Sequence, residues 1–156
     1  MDAESAKDIR HICLRLLTRR EYSQLELLNR LDVKGFSHAE SQIIIDDLAE
    51  QGWQSDLRFA ESYARYRIKK GYGPIKIGYE LQQRGIESFD FDTVVFDLAD
   101  DWDDLLRQVY ERKYSDEKTL LSKEWLKRSR FLQQRGFSGE LINRLFKVLN
   151  IKLLYS

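Results

Sequence analysis

Proline occurs once in this chain, at Pro74, and cysteine once, at Cys13. A lone cysteine excludes an internal disulfide and fits a reducing compartment. With one proline and only 8 glycines in 156 residues, helix breakers are scarce, and 33% charged residues complete a helix-rich composition. Histidine is nearly absent too. His11 and His38 stand apart from each other and from Cys13, so no zinc-site spacing exists. His11 reads as a packed or solvated helix residue and Cys13 as a small buried hydrophobe. No apolar run approaches the length of a membrane span. The opening MDAESAKDIR lacks a basic segment leading into an apolar one, so no signal peptide is expected and a cytoplasmic protein is. Glycine-rich phosphate loops, GxSxG and HExxH are missing as well. An enzymatic reading finds little support: it would need a deep polar pocket that nothing here predicts, and no catalytic residue, metal or cofactor is expected.

What the chain does have is charge in blocks. The formal net charge is zero, yet residues 1–55 carry −3, residues 56–86 carry +4, residues 87–117 carry −8 and residues 118–156 carry +7. Such asymmetry speaks to partners more directly than the total does.

It also repeats itself. LQQRG occurs at 81–85 and again at 132–136. At average residue frequencies, that coincidence arises in roughly one such sequence in a hundred. Both copies extend to Leu-x-x-basic-Gly-apolar, and LDVKGF at 31–36 is a third. Leu31, Leu81 and Leu132 are 50 and 51 residues apart, and each glycine is followed by an apolar pair: Ile44 and Ile45, Val94 and Val95, Leu145 and Phe146. A leucine comes thirteen residues after each glycine, at Leu48, Leu98 and Leu149. Three units of about 50 residues account for all of these matches. Apolar residues before each glycine fall at helical spacing, as in Leu25, Leu28 and Leu31, in Ile77 and Leu81, and in Leu121, Trp125 and Leu132. Glycine then ends the helix in the left-handed conformation, with a basic residue (Lys34, Arg84, Arg135) against the negative end of its dipole. Ser37 and Ser138 stand where the next helix needs a cap.

A further helix opens each unit, over about Ala6–Arg19, from a Ser55 cap to Gly71, and over about Asp104–Lys113 with Asp103 as cap. Pro74 sits in the first turn of the helix that follows GYG. The expected fold is all-α: three tandem three-helix repeats, 1–54, 55–102 and 103–156, forming an elongated curved array of units that touch mainly their neighbours. No strand-like alternation of useful length is present. An open array predicts a radius of gyration above the roughly 15 Å of a compact chain of this length.

The acidic stretch DLADDWDD, Asp97–Asp104, lacks the glycine and later glutamate of a calcium loop. Helix end, linker and cap explain it more simply than a metal site. The basic blocks are the stronger functional signal. Arg58, Arg65 and Lys69 share one face of their helix, Lys70, Lys76 and Arg84 continue the block, and Lys123, Lys127 and Arg130 repeat the arrangement in the third unit. Such faces neutralise phosphates or meet an acidic protein groove.

The segment DLRFAESYARYRIKKGYGPIKIGYELQQRGI, 56–86, closely resembles the central repeat of the RecX family of bacterial recombination regulators. LLTRREYSQLELLNRLDVKGF (16–36) resembles that family's first repeat and FLQQRGFSGELINRLF (131–146) its third, so the resemblance covers nearly the whole chain. It implies a non-enzymatic, monomeric modulator that lies in the groove of the RecA filament on single-stranded DNA and inhibits its ATPase, strand-exchange and coprotease activities. Single- or double-stranded DNA is a further expected contact, and binding to bare DNA by helix-turn-helix-like units is the rival reading. From charge and position in the matching motifs, the expected binding residues are Arg58, Arg65, Lys69, Lys70, Tyr72, Lys76 and Arg84, followed by Lys127, Arg130 and Arg135.

Overall fold

The computed structural model describes residues 2–154 and is helical almost throughout, with nine helices among those residues. They are α1 (Ala3–Arg19), α2 (Gln24–Val33), α3 (His38–Glu50), α4 (Asp56–Lys69), α5 (Pro74–Gln83), α6 (Asp92–Leu98), α7 (Trp102–Lys113), α8 (Ser122–Gln134) and α9 (Gly139–Val148). Two three-residue strands accompany them, β1 (Thr119–Leu121) and β2 (Lys152–Leu154). The chain divides into two compact units: the residues through Tyr63 together with Leu81–Phe89, and Ala64–Glu80 together with the residues from Asp90 onward. The boundary thus falls inside α4 and α5.

The recurring Leu-x-x-basic-Gly-apolar pattern is a helix stop made by backbone atoms. The amide of the apolar residue donates to the carbonyl of the leucine five positions earlier: Phe36 to Leu31 at 3.1 Å, Ile86 to Leu81 at 2.9 Å, and Phe137 to Leu132 at 3.2 Å. The glycine amide closes a second, tighter ring, onto Asp32, Gln82 and Gln133. This pairing requires a left-handed residue at the glycine, and the three have φ of 88°, 87° and 103°. The apolar contact that accompanies such stops is present as well, because Leu31, Leu81, Leu132, Ile86 and Phe137 are all buried. The same stop ends α4, where Tyr72 donates to Arg67 O at 3.2 Å across Gly71.

In the first unit, α1 and α2 pack on α3 around Ile9, Cys13, Leu27, Leu28, Leu31, Ile45 and Leu48. Side chains cap each start. Asp2 accepts from Glu4 N at 3.1 Å, Ser37 accepts from Glu40 N at 3.3 Å, and Ser23 forms a reciprocal box with Glu26. Ser55 accepts from Arg58 N at 3.1 Å, as the sequence predicts for α4. Buried Gln54 donates to Tyr22 O at 3.2 Å and to Asp56 Oδ1 at 2.9 Å, and the same carboxylate accepts from Gln24 N. That knot ties the start of α2 to the start of α4 and leaves the buried amide nitrogen satisfied.

In the second unit, α7 and α8 pack on α9 around Leu105, Leu106, Tyr110, Leu132, Ile142, Leu145 and Phe146. Trp125 meets the Phe146 ring edge-on, with centroids 4.6 Å apart. Three local expectations are corrected here. Leu121 is not part of the helical stripe with Trp125 and Leu132; it lies in β1 and is half exposed, because α8 starts one residue later. β1 pairs in parallel with β2, Thr119 against Lys152 and Leu121 against Leu154, so strand structure exists where none is expected. Asp101, not Asp103, caps α7. Its extended backbone lets the carboxylate accept from Asp104 N at 2.8 Å, while Asp103 sits in the first turn and pairs with Arg144 at 3.1 Å. Of the three leucines thirteen residues past each glycine, Leu48 is fully buried, and Leu98 and Leu149 are half-buried at their helix ends.

Candidate partner-binding surface

The GYGP turn is built against the turn that follows α8. Gly73 N donates to Arg135 O at 2.7 Å, Ile75 N donates to Gly136 O at 3.1 Å, and Arg135 Nη1 donates to Lys70 O at 2.9 Å. The approach is so close that a Cβ on Gly73 would lie 2.5 Å from Gly136 O, and one on Gly136 would lie 2.7 Å from Lys76 N. Glycine is needed on both sides of the contact.

Tyr72 stands at this junction among cations. Arg67 Cζ lies 3.8 Å from the ring centroid, Arg135 Cζ 4.6 Å and Lys76 Nζ 5.2 Å. Each such contact stabilises by about 0.5–1 kcal/mol at a partly exposed site. Arg67 also holds Glu80 in a two-pronged bond, with both distances 2.9 Å. Of the ten sequence-predicted residues, the structure gathers Lys70, Tyr72, Lys76 and Arg135 here. Arg67 is the member that the sequence reading misses. Its signal was available: Arg67 and Tyr72 occupy the two positions, five apart, whose side chains meet across a glycine helix stop.

The other predicted arginines are committed to the fold. Arg58 pairs with Glu21 at 3.1 Å and donates to the carbonyls of Gly52 and Trp53. Arg65 pairs with Asp97 at 3.0 Å. Arg84 lies 3.9 Å from Glu26 and over the Tyr63 ring at 4.6 Å. Exposed pairs of this kind contribute about 0–1 kcal/mol each, so they orient side chains more than they stabilise. Lys69, Lys70, Lys127 and Arg130 are exposed, and none of them enters an ion pair among the described residues. Lys127 and Arg130 line a separate cleft of about 460 Å³ along α7 and α8.

Cys13 is buried, and burial pushes its thiol up to about 11, far from the ionised form a nucleophile needs. Among the described residues no three His, Cys, Asp or Glu side chains are grouped to hold a metal, and no helix is long and apolar enough to cross a membrane.

The architecture thus defines a class first, three-helix domains repeated in tandem, each with a glycine stop between its second and third helices. The family models for the first, second and third three-helix domains of RecX match residues 10–48, 55–94 and 100–146 respectively. The regulatory protein RecX of Legionella pneumophila is 41% identical over 134 residues, which cover 86% of this chain and 89% of that protein. The regulatory protein RecX of Pseudomonas entomophila is 37% identical over 137 residues, 88% of each chain. The crystal structure of RecX from Lactobacillus salivarius superposes with a TM-score of 0.74 over 96% of this chain and 99% of that one, at 19% identity, which shows a shared fold. The chain belongs to the RecX family.

Proposed function

We propose that the protein is a non-enzymatic regulator that binds the RecA filament on single-stranded DNA in the cytoplasm and inhibits its ATPase, strand-exchange and coprotease activities, acting as a monomer. One observation carries this reading: the family match runs in order through all three helical domains. The name regulatory protein, borne by the relatives, supports it. The unpaired lysines Lys69 and Lys70, close in sequence to the cation-ringed Tyr72, supply the binding face together with Lys76 and Arg65, and Arg58 and Arg84 are further contacts carried by the other compact unit. From the third repeat, Arg135 adds to it beside Tyr72, and Lys127 and Arg130 offer further contacts from their separate cleft. A tyrosine flanked by cations offers an anionic protein surface both charge and a rigid apolar contact.

The test is single-stranded-DNA-dependent ATP hydrolysis by RecA from the same organism, titrated with this protein. Inhibition at equimolar or lower ratios, without comparable affinity for bare DNA, is the expected result. An unaffected ATPase alongside tight, steeply salt-dependent binding to bare DNA would replace this reading with that of a DNA-binding protein.

A further inference from the structure

The cleft along α7 and α8 carries charge that the fold leaves unanswered. Lys113, Lys123, Lys127 and Arg130 line it, and no carboxylate does. Acidic residues are close in sequence but are turned elsewhere. Glu124, which could reach Lys127 one turn along α8, instead accepts from Arg128 Nε at 2.9 Å. Glu117 accepts from Arg128 Nη2 at 3.1 Å, and Tyr110 Oη lies 2.7 Å from Nη1. Arg128 is 3% exposed, so both carboxylates are engaged by a buried guanidinium, and neither lines the cleft. Other basic residues nearby do have partners: Arg107 has Glu111, Lys118 has Asp116, and Arg144 has Asp103. The cleft thus gathers four cations and no carboxylate, whereas these neighbouring basic residues are paired.

Its apolar surface decides between two anionic ligands. A single-stranded nucleic acid needs open aromatic faces on which bases stack. Here the aromatic rings are already occupied by the protein's own cations. Lys113 Nζ lies 3.7 Å from the Phe131 centroid with Arg135 Cζ at 5.3 Å, and Arg128 Cζ lies 4.5 Å from the Tyr114 ring. What remains accessible is aliphatic: Leu126, 52% exposed, between Lys123 and Lys127 on α8. Lys123, Lys127 and Arg130 fall at steps of four and three along one side of the helix, spanning about 10 Å. Same-face side chains of an extended peptide recur about every 7 Å, which brings two or three carboxylates within reach of that row.

We infer that this cleft docks an acidic segment of a protein partner, with carboxylates on Lys123, Lys127 and Arg130 and one apolar side chain against Leu126. The inference stands apart from the identity of the filament partner, because it concerns the chemistry of the segment alone. Lys113 is held over Phe131 as the fourth charge, at the back of the cleft.

Fluorescence anisotropy with a labelled peptide of about ten residues, alternating Asp or Glu with Leu or Phe, tests it on the full chain. The peptide binds, and its affinity falls as salt rises. The Lys123→Glu, Lys127→Glu double variant weakens it by at least about tenfold through lost attraction and new repulsion, and Leu126→Ser weakens it by about threefold through lost apolar contact. A peptide with Asn and Gln in place of the acids does not bind. Exposed positions are altered, and unchanged helical circular dichroism confirms a folded protein. Three results would each overturn the inference: no binding of the acidic peptide, equal binding by the double variant, or displacement of the peptide by oligodeoxythymidylate at lower concentration than by unlabelled peptide.

Discussion

Replacing three glycines by alanine one at a time separates backbone strain from steric contact at the turns. At Gly35, φ is +88° and nothing lies within 4 Å of an added Cβ, so only the left-handed conformation is penalised. That costs about 1–2 kcal/mol. At Gly73 the backbone is outside the left-handed region, but the new Cβ meets Gly136 O at 2.5 Å and Gly136 C at 2.7 Å. Those are backbone atoms held by the Gly73–Arg135 and Ile75–Gly136 hydrogen bonds, so relief requires the two turns to part, at about 1–3 kcal/mol. At Gly136 both penalties apply, since φ is +103° and the Cβ meets Lys76 N at 2.7 Å. The expected loss is about 2–5 kcal/mol, the sum of the other two if the effects are independent. Urea unfolding followed by circular dichroism, with m-values compared to confirm a common transition, gives the three numbers. Equal losses for Gly35→Ala and Gly136→Ala would refute the reasoning, because contact between the two turns would then carry no energetic weight.

Other outcomes follow from single side chains. Arg128→Ala removes a buried guanidinium whose charge is opposed by burial but held above its ordinary value by hydrogen bonds with Glu124, Tyr110 and Glu117. The Tyr110 hydroxyl loses that bond, and the expected destabilisation is about 2–4 kcal/mol in urea, with Arg128→Lys recovering only part. The Glu117 carboxyl is held below its ordinary value of 4.5 by the Ser115 hydroxyl and then by Arg128. Its stabilising effect is therefore complete above pH 4.5 and disappears as pH falls through the lower folded value; in Arg128→Ala, the Glu117 titration seen by NMR moves up. Cys13, with its thiol pushed up to about 11, is expected to resist Ellman's reagent at pH 8 until urea unfolds the first unit, and reaction at the rate of a free thiol would contradict its burial. Reversing Arg65, Lys69 and Lys76 to glutamate should raise the concentration needed to inhibit RecA ATPase by about tenfold or more, and an unchanged inhibition curve would remove that face from the proposal.

The helices and their ends were legible because their causes are local. A glycine four residues after a core leucine, or a serine three residues before an amide, specifies its hydrogen bond within one short window. Asp101 shows the limit of even that reading, since adjacent aspartates in DDWDD compete for one cap and only the backbone angle of the winner decides. The strand pair lay beyond it. β1 and β2 are three residues each, their partners are 33 positions apart, and alternation over three residues carries no signal. For the candidate site, charge in the sequence marks segments but not the state of each charge. Arg58, Arg65 and Arg84 look like Lys69 in sequence, yet their partners Glu21, Asp97 and Glu26 come from distant parts of the chain, which periodicity cannot supply. The cleft on α8 was half visible, as Lys123, Lys127 and Arg130, while the engagement of Glu124 by Arg128, which keeps that carboxylate off the cleft lining, was not.

Because the helix stop before each repeat's last helix is made from backbone amides and a glycine, the side chain of the residue just ahead of that glycine takes no part in the stop itself. The three copies have diverged there. Lys34 is exposed to solvent, Arg84 leans on Glu26 and Tyr63, and Arg135 clasps the carbonyl of Lys70 beside Tyr72. One ancestral-looking position has thus become an open surface charge, an internal strut and a latch. Exchanging those three side chains between repeats would alter how the domains are tied together while leaving every helix boundary in place.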